Sequence, residues 1–444
     1  MNQTEIRRRA RRLRLPLTYV ALFVLLALRR PDALANAQFW AEDGPIFFHT
    51  ALLAGLHSLV IPYAGYLSLV GRLVALIALA FPFALQPFVY DFAAIAIAAA
   101  VFTLFTSPAY RYLIHSDLAR IVIAVVAAVA PFGGEVIGDI TNIQWYLSIG
   151  ALLLILYRPI RSSLGGRALR GGIALISALS APLTILWVPL VFRILAVPRD
   201  REKTTGVLVA LGAIGEIVLS STLAPSAHQP FGLHVLATAI LATLSYRVVL
   251  PTLFGEASSI ALTGVPYLSV VATCAIAAGA LFLARTARTR YRLVAIGLWI
   301  IAGLALSLIG RNFVTMFGSI RHFSQFGGER YFFVGSVLLV YVIGSTLSER
   351  LRDRSAFTLV MAVVFALGTN ENYAAARLVD QHWVTEAAQV TAWADARKHG
   401  GQTHALSLPI NPIGWTIQLP GCESPPAERA EAALVCDSAA TRSR

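Results

Sequence analysis

The sequence predicts an all-α protein that crosses a membrane many times. Hydrophobic residues make up 57% of its 444 residues, charged residues make up only 13%, and the mean hydropathy is +0.70. Apolar runs of roughly 15 to 20 residues recur along the chain, close to the length that a helix needs to cross the hydrocarbon of a bilayer. Since backbone polar groups inside lipid must find partners within the protein, we expect these runs to be helical.

The net charge of +13 indicates membrane topology rather than nucleic-acid binding. Many of the arginines lie in short loops between the apolar runs, and the positive-inside rule assigns such loops to the cytoplasm. These loops are 7–14, 158–170, 193–203, 285–292 and 350–354. We therefore expect a multi-pass protein of a bacterial-type inner membrane, with its N-terminus inside and its first apolar segment retained as an anchor.

The apolar runs predict about eleven membrane helices. The run 171–197 is interrupted at Ser180-Ala181-Pro182, so we expect its two short arms to form a hairpin that returns to the cytoplasmic side. The crossing runs are 15–30, 88–106, 119–132, 143–157, 205–223, 265–284, 292–309, 332–347 and 355–369.

Some apolar runs are predicted to lie on the outer surface instead of crossing. A crossing at 66–82 would place the basic loop 158–170 outside, and this run contains Arg72 and ends at the helix-breaking Pro82. We therefore expect a helix on the outer leaflet, a juxtamembrane helix in the first loop. The run 44–58 is expected to form a similar surface helix. The run 232–249 is also placed outside, because a crossing there would again conflict with the cytoplasmic position of the basic loops.

The predicted membrane domain is 1–369, with the first outer loop at 31–87, and it is followed by a small extracytoplasmic tail at 370–444. This tail contains Cys422 and Cys436. An oxidising compartment would allow a disulfide between these two residues.

Two adjacent carboxylates lie just after the first apolar run, in Phe39-Trp40-Ala41-Glu42-Asp43-Gly44. Charged groups beside hydrocarbon are costly, which makes this pair a candidate functional site. Such a carboxylate can take the proton of an attacking hydroxyl as a general base. We prefer Asp43 over Glu42, because Gly44-Pro45 is expected to begin a helix whose N-terminus favours a carboxylate. The alternative is that Asp43 only caps this helix.

Basic residues predicted at the same membrane face suit a phosphate group. Arg330 begins the predicted helix 332–347 from the outer side, and an arginine can bind phosphate through two parallel hydrogen bonds. Arg72, Arg321 and His322 are further candidates for this role. The alternative for Arg330 is a side chain that only extends towards lipid headgroups at a helix end.

Aromatic and amide side chains near this face are candidates for sugar binding: Trp40, Tyr63, Asn142 and Trp145. Anchoring at the membrane interface is the alternative for the aromatic residues. Glu42, Glu135 and Asp139 could together hold a divalent cation, and oxygen ligands favour Mg²⁺ or Mn²⁺ over zinc.

Three segments together resemble the GT-C glycosyltransferases: Trp40-Ala41-Glu42-Asp43-Gly44, Pro62-Tyr63-Ala64-Gly65-Tyr66 and Leu179-Ser180-Ala181-Pro182. That family has an acidic pair in the first outer loop, juxtamembrane helices and a short cytoplasmic-side hairpin. The resemblance implies transfer of a sugar, with inversion, from a polyprenyl-phosphate donor to an extracytoplasmic glycan, lipid or protein of the cell envelope. It also implies that Asp43 or Glu42 is the base and that the active site faces outside.

Two other functions remain open from the sequence. A transporter or flippase of lipid-linked sugars would use the same arginines without a base, although we see no paired internal repeats. A non-catalytic scaffold for envelope-polymer synthesis would tolerate the loss of both carboxylates. The sequence contains no Walker loop, zinc-ligand spacing or Gly-x-Ser-x-Gly motif, which disfavours an ATP-driven pump or a metalloprotease. Glu216, in the middle of the run 205–223, is left without a role.

Overall fold

The structure is a computed structural model that describes most of the chain. The described residues are 3–131, 135–159, 163–195, 203–223, 230–262, 266–284, 286–310, 313–314, 328, 330–351, 353–369, 373, 375–399 and 403–421. Arg321, His322, Cys422 and Cys436 lie outside these ranges, so the roles predicted for them stay predictions.

The described chain is almost entirely helical and has one two-stranded sheet. The α-helices are α1 (Gln3–Arg29), α2 (Asp32–Ala35), α3 (His49–Ala54), α4 (Leu69–Ala78), α5 (Gln86–Phe105), α6 (Asp117–Ala128), α7 (Ile143–Ile155), α8 (Leu164–Ala178), α9 (Val188–Leu195), α10 (Lys203–Leu223), α11 (Leu233–Thr243), α12 (Leu250–Phe254), α13 (Glu256–Ala261), α14 (Pro266–Leu283), α15 (Ala287–Gly310), α16 (Arg330–Arg350), α17 (Arg354–Thr369) and α18 (Trp383–Lys398). The strands are β1 (Leu406–Ile410) and β2 (Trp415–Leu419).

Helix α7 lies at the centre of the bundle. All of its residues are buried, and it packs against α5, α8 and α16. This position follows from its sequence, because a helix that is apolar on every side can be buried on every side. The loop before α7 contacts the first loop, 31–87, because its Ile140 and Thr141 N–H groups donate to Asp43.

The structure confirms the predicted all-α polytopic membrane class. Four helical segments of the described residues are long and apolar enough to cross a membrane: Phe83–Phe105, Leu233–Phe254, Arg290–Gly310 and Arg330–Arg350. Three of them cover all or nearly all of the predicted spans 88–106, 292–309 and 332–347. The number of crossings that the basic loops allow predicts that 232–249 lies on the outer surface, whereas the overlapping helical segment Leu233–Phe254 has the length and composition of a span.

The described part of the interrupted run 171–197, which ends at residue 195, belongs to a helix pair with a sharp bend. The segments Leu164–Ala178 and Pro182–Phe192 meet at an angle of 120°. Pro182 starts the second arm, where its missing N–H costs nothing. The tip of this hairpin contacts the first loop, since the Val70 N–H donates to Ser180 Oγ at 2.9 Å.

The first loop, 31–87, contains short helical pieces before α5 instead of long helices. The segment 44–60 consists of a π turn (Gly44–Phe48), α3 and a 3₁₀ turn (Gly55–Val60). The run 66–82 contains only α4, whose 10 residues are too few to cross a bilayer. This length agrees with the predicted surface position of that run.

The tail folds onto this loop. Strands β1 and β2 pair antiparallel, and the hairpin and α18 together are called the C-terminal cap below. Trp383 of α18 lies 4.6 Å from Phe39 and 6.0 Å from Phe48, measured between ring centroids. Its indole N–H donates to the Phe83 carbonyl at 2.9 Å. The C-terminal cap is therefore packed against the segment that carries the acidic pair.

Candidate active site at the first outer loop

A strained turn directs the two carboxylates of the acidic pair to different surroundings. Ala41 has φ +41°, a left-handed value that is costly for a residue with a side chain. Asn411 of the C-terminal cap supports the turn on both sides: its N–H donates to Phe39 O at 3.1 Å, and its carbonyl accepts from the Ala41 N–H at 2.5 Å. As a result Asp43 is buried while Glu42 is partly exposed.

Asp43 ties the first loop to the loop before α7. Its Oδ1 accepts hydrogen bonds from the Thr141 backbone N–H at 2.9 Å and from the Thr141 hydroxyl at 2.5 Å. Its Oδ2 accepts from the Ile140 N–H at 3.4 Å. The capping alternative is wrong, because the Asp43 side chain makes no capping bond to the turn that follows it.

Asp139 adds a second buried carboxylate beside Asp43. Its Oδ1 accepts from the Asn142 backbone N–H at 2.7 Å. Burial raises the pKa of Asp43 well above its usual range, and the neighbouring Asp139 raises it further. Burial also raises the pKa of Asp139, although the positive charge of Arg30 opposes this effect. Two carboxyl groups in such a place favour sharing a proton over ionising together.

Glu42 is the accessible member of the acidic pair. The Tyr63 hydroxyl donates to Glu42 Oε1 at 3.0 Å, which fixes the orientation of the carboxylate. The negative charge of Glu135 and, more weakly, that of Glu42 favour the charged form of Arg330. The structure therefore brings together a carboxylate, a phenol and an arginine that the sequence analysis assigned to one site.

Glu135 holds the start of α16 in this place. Its carboxylate accepts from the Arg330 backbone N–H at 3.3 Å and from the Gly328 N–H at 3.4 Å. The Arg330 guanidinium lies 4.0 Å from Glu135 Oε2, and both side chains are about one quarter exposed, at 27% and 25%. Arg330 is thus oriented by protein contacts while it keeps access to the surface, which differs from a side chain that only extends to lipid.

A cavity of about 300 Å³ lies next to this group. Tyr66 and Tyr331 on its wall connect it to the charged residues: Tyr66 pairs through its backbone with Tyr63, and the Arg330 guanidinium lies 5.2 Å from the Tyr331 ring centroid. We name it the Tyr66–Tyr331 cavity. Its other lining residues include Ala64, Gln144, Trp145, Ala181, Pro182, Leu183, Glu216, Ser307 and Gly310.

Trp145 is a wall of this cavity and is not exposed to lipid. It is 6% exposed and meets Tyr331 edge-on at 5.4 Å between ring centroids. Gln144 lies beside it and donates to the Tyr66 hydroxyl at 3.1 Å. Aromatic faces and amide groups are the side chains that recognise the apolar faces and the hydroxyls of sugar rings.

Three predicted ligand residues have structural contacts instead. Arg72 is buried, with Nε donating to Leu67 O at 3.0 Å and Nη1 to Thr50 Oγ1 at 3.0 Å. Asn142 is buried as well, and its side-chain amide donates to the Glu135 carbonyl at 2.7 Å. Trp40 lies beneath the guanidinium of Arg30, whose Cζ is 5.7 Å from the ring centroid. These residues hold the loops rather than line the cavity.

The predicted metal site at Glu42, Glu135 and Asp139 is not formed. Within the described ranges no group of three His, Cys, Asp or Glu side chains could hold a metal ion. The physical reason is that each carboxylate has its own donors. Glu42 accepts from the Tyr63 hydroxyl, Glu135 from the Gly328 and Arg330 N–H groups, and Asp139 from the Asn142 N–H.

Sequence reasoning missed Tyr66, Gln144, Tyr331 and Glu216 as lining residues. Gln144 and Glu216 carry a signal, since polar groups inside apolar runs are seldom placed there without a function. The two tyrosines carry none, because tyrosine is also the usual residue at the headgroup level.

Comparison with known proteins gives one distant structural likeness. The fold is similar to a crystal structure of the Archaeoglobus fulgidus oligosaccharyltransferase in complex with zinc and sulfate, with 14% sequence identity and a TM-score of 0.41. The match covers 86% of this chain and 55% of that chain, so the chain spans about half the length of this enzyme. No protein-family model and no curated protein matches the sequence.

Proposed function

We propose that this protein is a membrane glycosyltransferase that moves one sugar from a polyprenyl-phosphate donor to an acceptor hydroxyl at the outer face. The observation that carries the proposal is a group of oriented side chains near a cavity with aromatic and polar walls. The Tyr63 hydroxyl donates to Glu42 at 3.0 Å, and the Arg330 guanidinium lies 4.0 Å from Glu135 and 5.2 Å from the ring centroid of the lining residue Tyr331. A base and a phosphate-binding cation on the two sides of one substrate are the groups that such a transfer needs.

Glu42 is the base in this proposal, which departs from the preference for Asp43 in the sequence analysis. Asp43 is 1% exposed, and both of its oxygens accept hydrogen bonds from the loop before α7. Its raised pKa also favours the protonated form, which cannot accept a proton. Glu42 is partly exposed and oriented by Tyr63, so it can meet an acceptor hydroxyl.

The reaction is a single displacement at the anomeric carbon. The acceptor hydroxyl loses its proton to Glu42 as its oxygen forms the new bond to that carbon. The bond from the carbon to the phosphate oxygen breaks on the opposite side, and its electron pair leaves with the polyprenyl phosphate. Arg330 offsets the charge of the phosphate group through charge-assisted hydrogen bonds. Attack opposite to the leaving group inverts the anomeric configuration.

Membranes that contain the protein, supplied with a panel of labelled polyprenyl-phosphate sugars, test this proposal. We expect transfer of label to an acceptor from at least one donor, and loss of this transfer in Glu42→Gln. Glu349→Gln is the matched control, because Glu349 is a partly exposed carboxylate paired with Arg292 on a different part of the molecule. If the donor crosses the membrane unchanged and no transfer occurs, the protein is a transporter and the proposal fails. If neither transfer nor transport occurs although the protein is folded, the scaffold alternative replaces it.

A further inference from the structure

An apolar groove of about 410 Å³ lies between α1 and α6 on the outside of the helix bundle. Its lining residues recur at four-residue spacing on each helix, as neighbours on one helix face do. They include Leu13, Leu17, Ala21 and Leu22 of α1 and Ile121 and Val125 of α6. Leu13 and Leu17 are exposed, and both helices carry predicted spans, 15–30 and 119–132. We name this feature the α1–α6 groove and expect it to face the acyl chains of the bilayer.

Three arginines share one aspartate at the end of this groove. Arg14 lines the groove and pairs with Asp117 at the start of α6. Arg111 Nη2 lies 3.0 Å from Asp117 Oδ2, and Arg120 pairs with Asp117 Oδ1. Because one carboxylate offsets only one of the three positive charges, the cluster keeps an excess of positive charge.

Two of these arginines can be reached from outside. Arg120 is fully buried and donates to the Ile114 carbonyl at 2.5 Å, so its role is structural. The side chains of Arg14 and Arg111 are 20% and 44% exposed. Arg111 uses Nε and Nη2 for Asp117, and within the described part of the chain its Nη1 has no recorded acceptor. A phosphate group could therefore accept from Arg111 without breaking its pair with Asp117.

Further basic residues lie at the same end of the bundle. Arg158 has its Cζ 4.3 Å from the ring centroid of Tyr112, the residue after Arg111. In sequence, the first turns of α1 contain five arginines and one glutamate, at residues 3–12. On α1, Arg14 and Arg29 are separated by about 22 Å along the helix axis, so this end lies away from the acidic pair. Basic groups at the cytoplasmic end of membrane helices attract the head groups of anionic lipids.

We propose that the α1–α6 groove binds one anionic phospholipid, with an acyl chain in the groove and its phosphate at Arg14 and Arg111. The predicted topology places this lipid in the cytoplasmic leaflet. The excess positive charge selects a lipid with a net negative charge over a zwitterionic lipid with the same chains. The site goes beyond the proposed function, because it lies at the other end of α1 from the acidic pair and takes no part in sugar transfer.

Native mass spectrometry of the full chain, released from a non-ionic detergent, tests the preference for lipid charge. The probes are dioleoyl phosphatidylglycerol and dioleoyl phosphatidylcholine, which share their acyl chains and differ in net charge. We expect the first phosphatidylglycerol to bind about tenfold or more tightly than the first phosphatidylcholine. Equal affinities would overturn the proposal. Displacement of phosphatidylglycerol by a lower concentration of polyprenyl phosphate would also overturn it, since the groove would then hold the sugar carrier.

Arg111→Gln separates a specific site from general attraction to a basic surface. Arg14 and Arg120 still pair with Asp117 in this variant, so we expect it to fold. Arg167→Gln is the matched control, because it removes the same charge from an exposed position of α8 in the basic loop 158–170. We expect the preference for phosphatidylglycerol to fall to within about threefold of unity in Arg111→Gln and to stay unchanged in Arg167→Gln. Equal losses in both variants, or a loss of thermal stability with unchanged preference, would contradict the proposal.

Ala21→Trp tests whether the groove holds the lipid. Ala21 lines the groove and is exposed, so an indole there would occupy the space of the acyl chain without entering the protein core. Val20→Trp is the control, because Val20 is an exposed neighbour on α1 that does not line the groove. We expect Ala21→Trp to weaken the first phosphatidylglycerol by about tenfold or more and Val20→Trp to leave it unchanged. Unchanged binding in Ala21→Trp would place the lipid elsewhere and refute the proposal.

Discussion

The adjacent residues Glu42 and Asp43 differ in chemistry because their turn gives them different neighbours. Asp43 accepts three hydrogen bonds from residues 140–141 in a buried place, whereas the partly exposed Glu42 accepts one from the Tyr63 hydroxyl. A buried carboxylate with satisfied oxygens stabilises the contact between two loops. A partly exposed carboxylate that is oriented by a phenol is available for the proton transfer proposed above. Under that proposal the pair combines a structural and a chemical role in consecutive residues.

The Asp43–Asp139 pair predicts a pH dependence of stability. Burial raises the pKa of both groups above the ordinary aspartate range, so the folded state binds more protons than the unfolded state. The free energy of unfolding therefore falls as the pH rises through the raised pKa values, by about 1.4 kcal/mol for each unit of pKa shift. We expect a melting temperature that is higher at pH 5 than at pH 8, measured by differential scanning fluorimetry in detergent.

Asp139→Asn is the variant that tests this dependence. The amide oxygen of the new asparagine can still accept from the Asn142 N–H, and the substitution removes the second charge beside Asp43. We expect the variant to be more stable than the wild type at pH 8 and its melting temperature to vary less with pH. A pH profile identical to that of the wild type would show that the pair does not share a proton.

Part of the site could be predicted from residue types alone. The acidic pair and Arg330 stand out because charges at a membrane edge are rare. In the structure both are linked to walls of the Tyr66–Tyr331 cavity, Glu42 through Tyr63 and Arg330 through Tyr331. Their neighbours could not be assigned, because burial decides between roles and is a tertiary property. Arg72 has the residue type of a phosphate ligand, but it is buried against Thr50 and Leu67.

At the level of elements, the C-terminal cap determines the shape of the acidic turn. Gly44 lies directly under the cap, where an added Cβ would come within 2.7 Å of Ile417 and 2.8 Å of Ile410. Asn411 bonds to the backbone on both sides of Trp40. The orientation of Glu42 therefore depends on a part of the chain that is more than 300 residues away in sequence.

Trp383→Ala tests the importance of this docking. Trp383 is 2% exposed and packs against two phenylalanines of the first loop, and replacing such a residue by alanine typically costs about 3–5 kcal/mol. We expect faster proteolysis in the cap and at least partial loss of sugar transfer, measured by limited proteolysis and the transfer assay. Trp415→Ala is the control, since Trp415 belongs to the same cap and is 38% exposed. Equal effects of the two substitutions would contradict a specific role of the Trp383 contact.

Over the whole molecule, hydropathy and arginine positions predict the membrane class, and the long helices agree with it. The bend at Pro182 and the short α4 also follow from local sequence signals. The packing of the C-terminal cap on the first loop could not be predicted, because it depends on contacts between Trp383, Phe39 and Phe48 that have no local pattern. The predicted surface position of 232–249 rests only on the number of crossings that the basic loops allow. The length of the helical segment Leu233–Phe254 does not support it.

Cysteine labelling of a cysteine-free variant tests the predicted orientation. Leu56 in the first loop is 78% exposed, and Leu164 at the start of α8 is 76% exposed, so both positions are open to a reagent. We expect Leu56→Cys to react with a membrane-impermeant maleimide in intact cells and Leu164→Cys to react only after the membrane is opened. The opposite pattern would place the acidic pair in the cytoplasm.

The measurement that tests the central claim most directly is the rate of sugar transfer by Glu42→Gln compared with Asp43→Asn, at matched amounts of folded protein. Loss of a general base typically lowers the rate by about 10²–10⁴-fold. We expect a loss of this size for Glu42→Gln and a loss within about tenfold for Asp43→Asn, because its amide oxygen can still accept from Thr141. A large loss in Asp43→Asn together with an active Glu42→Gln would contradict the account and assign the proton transfer to Asp43.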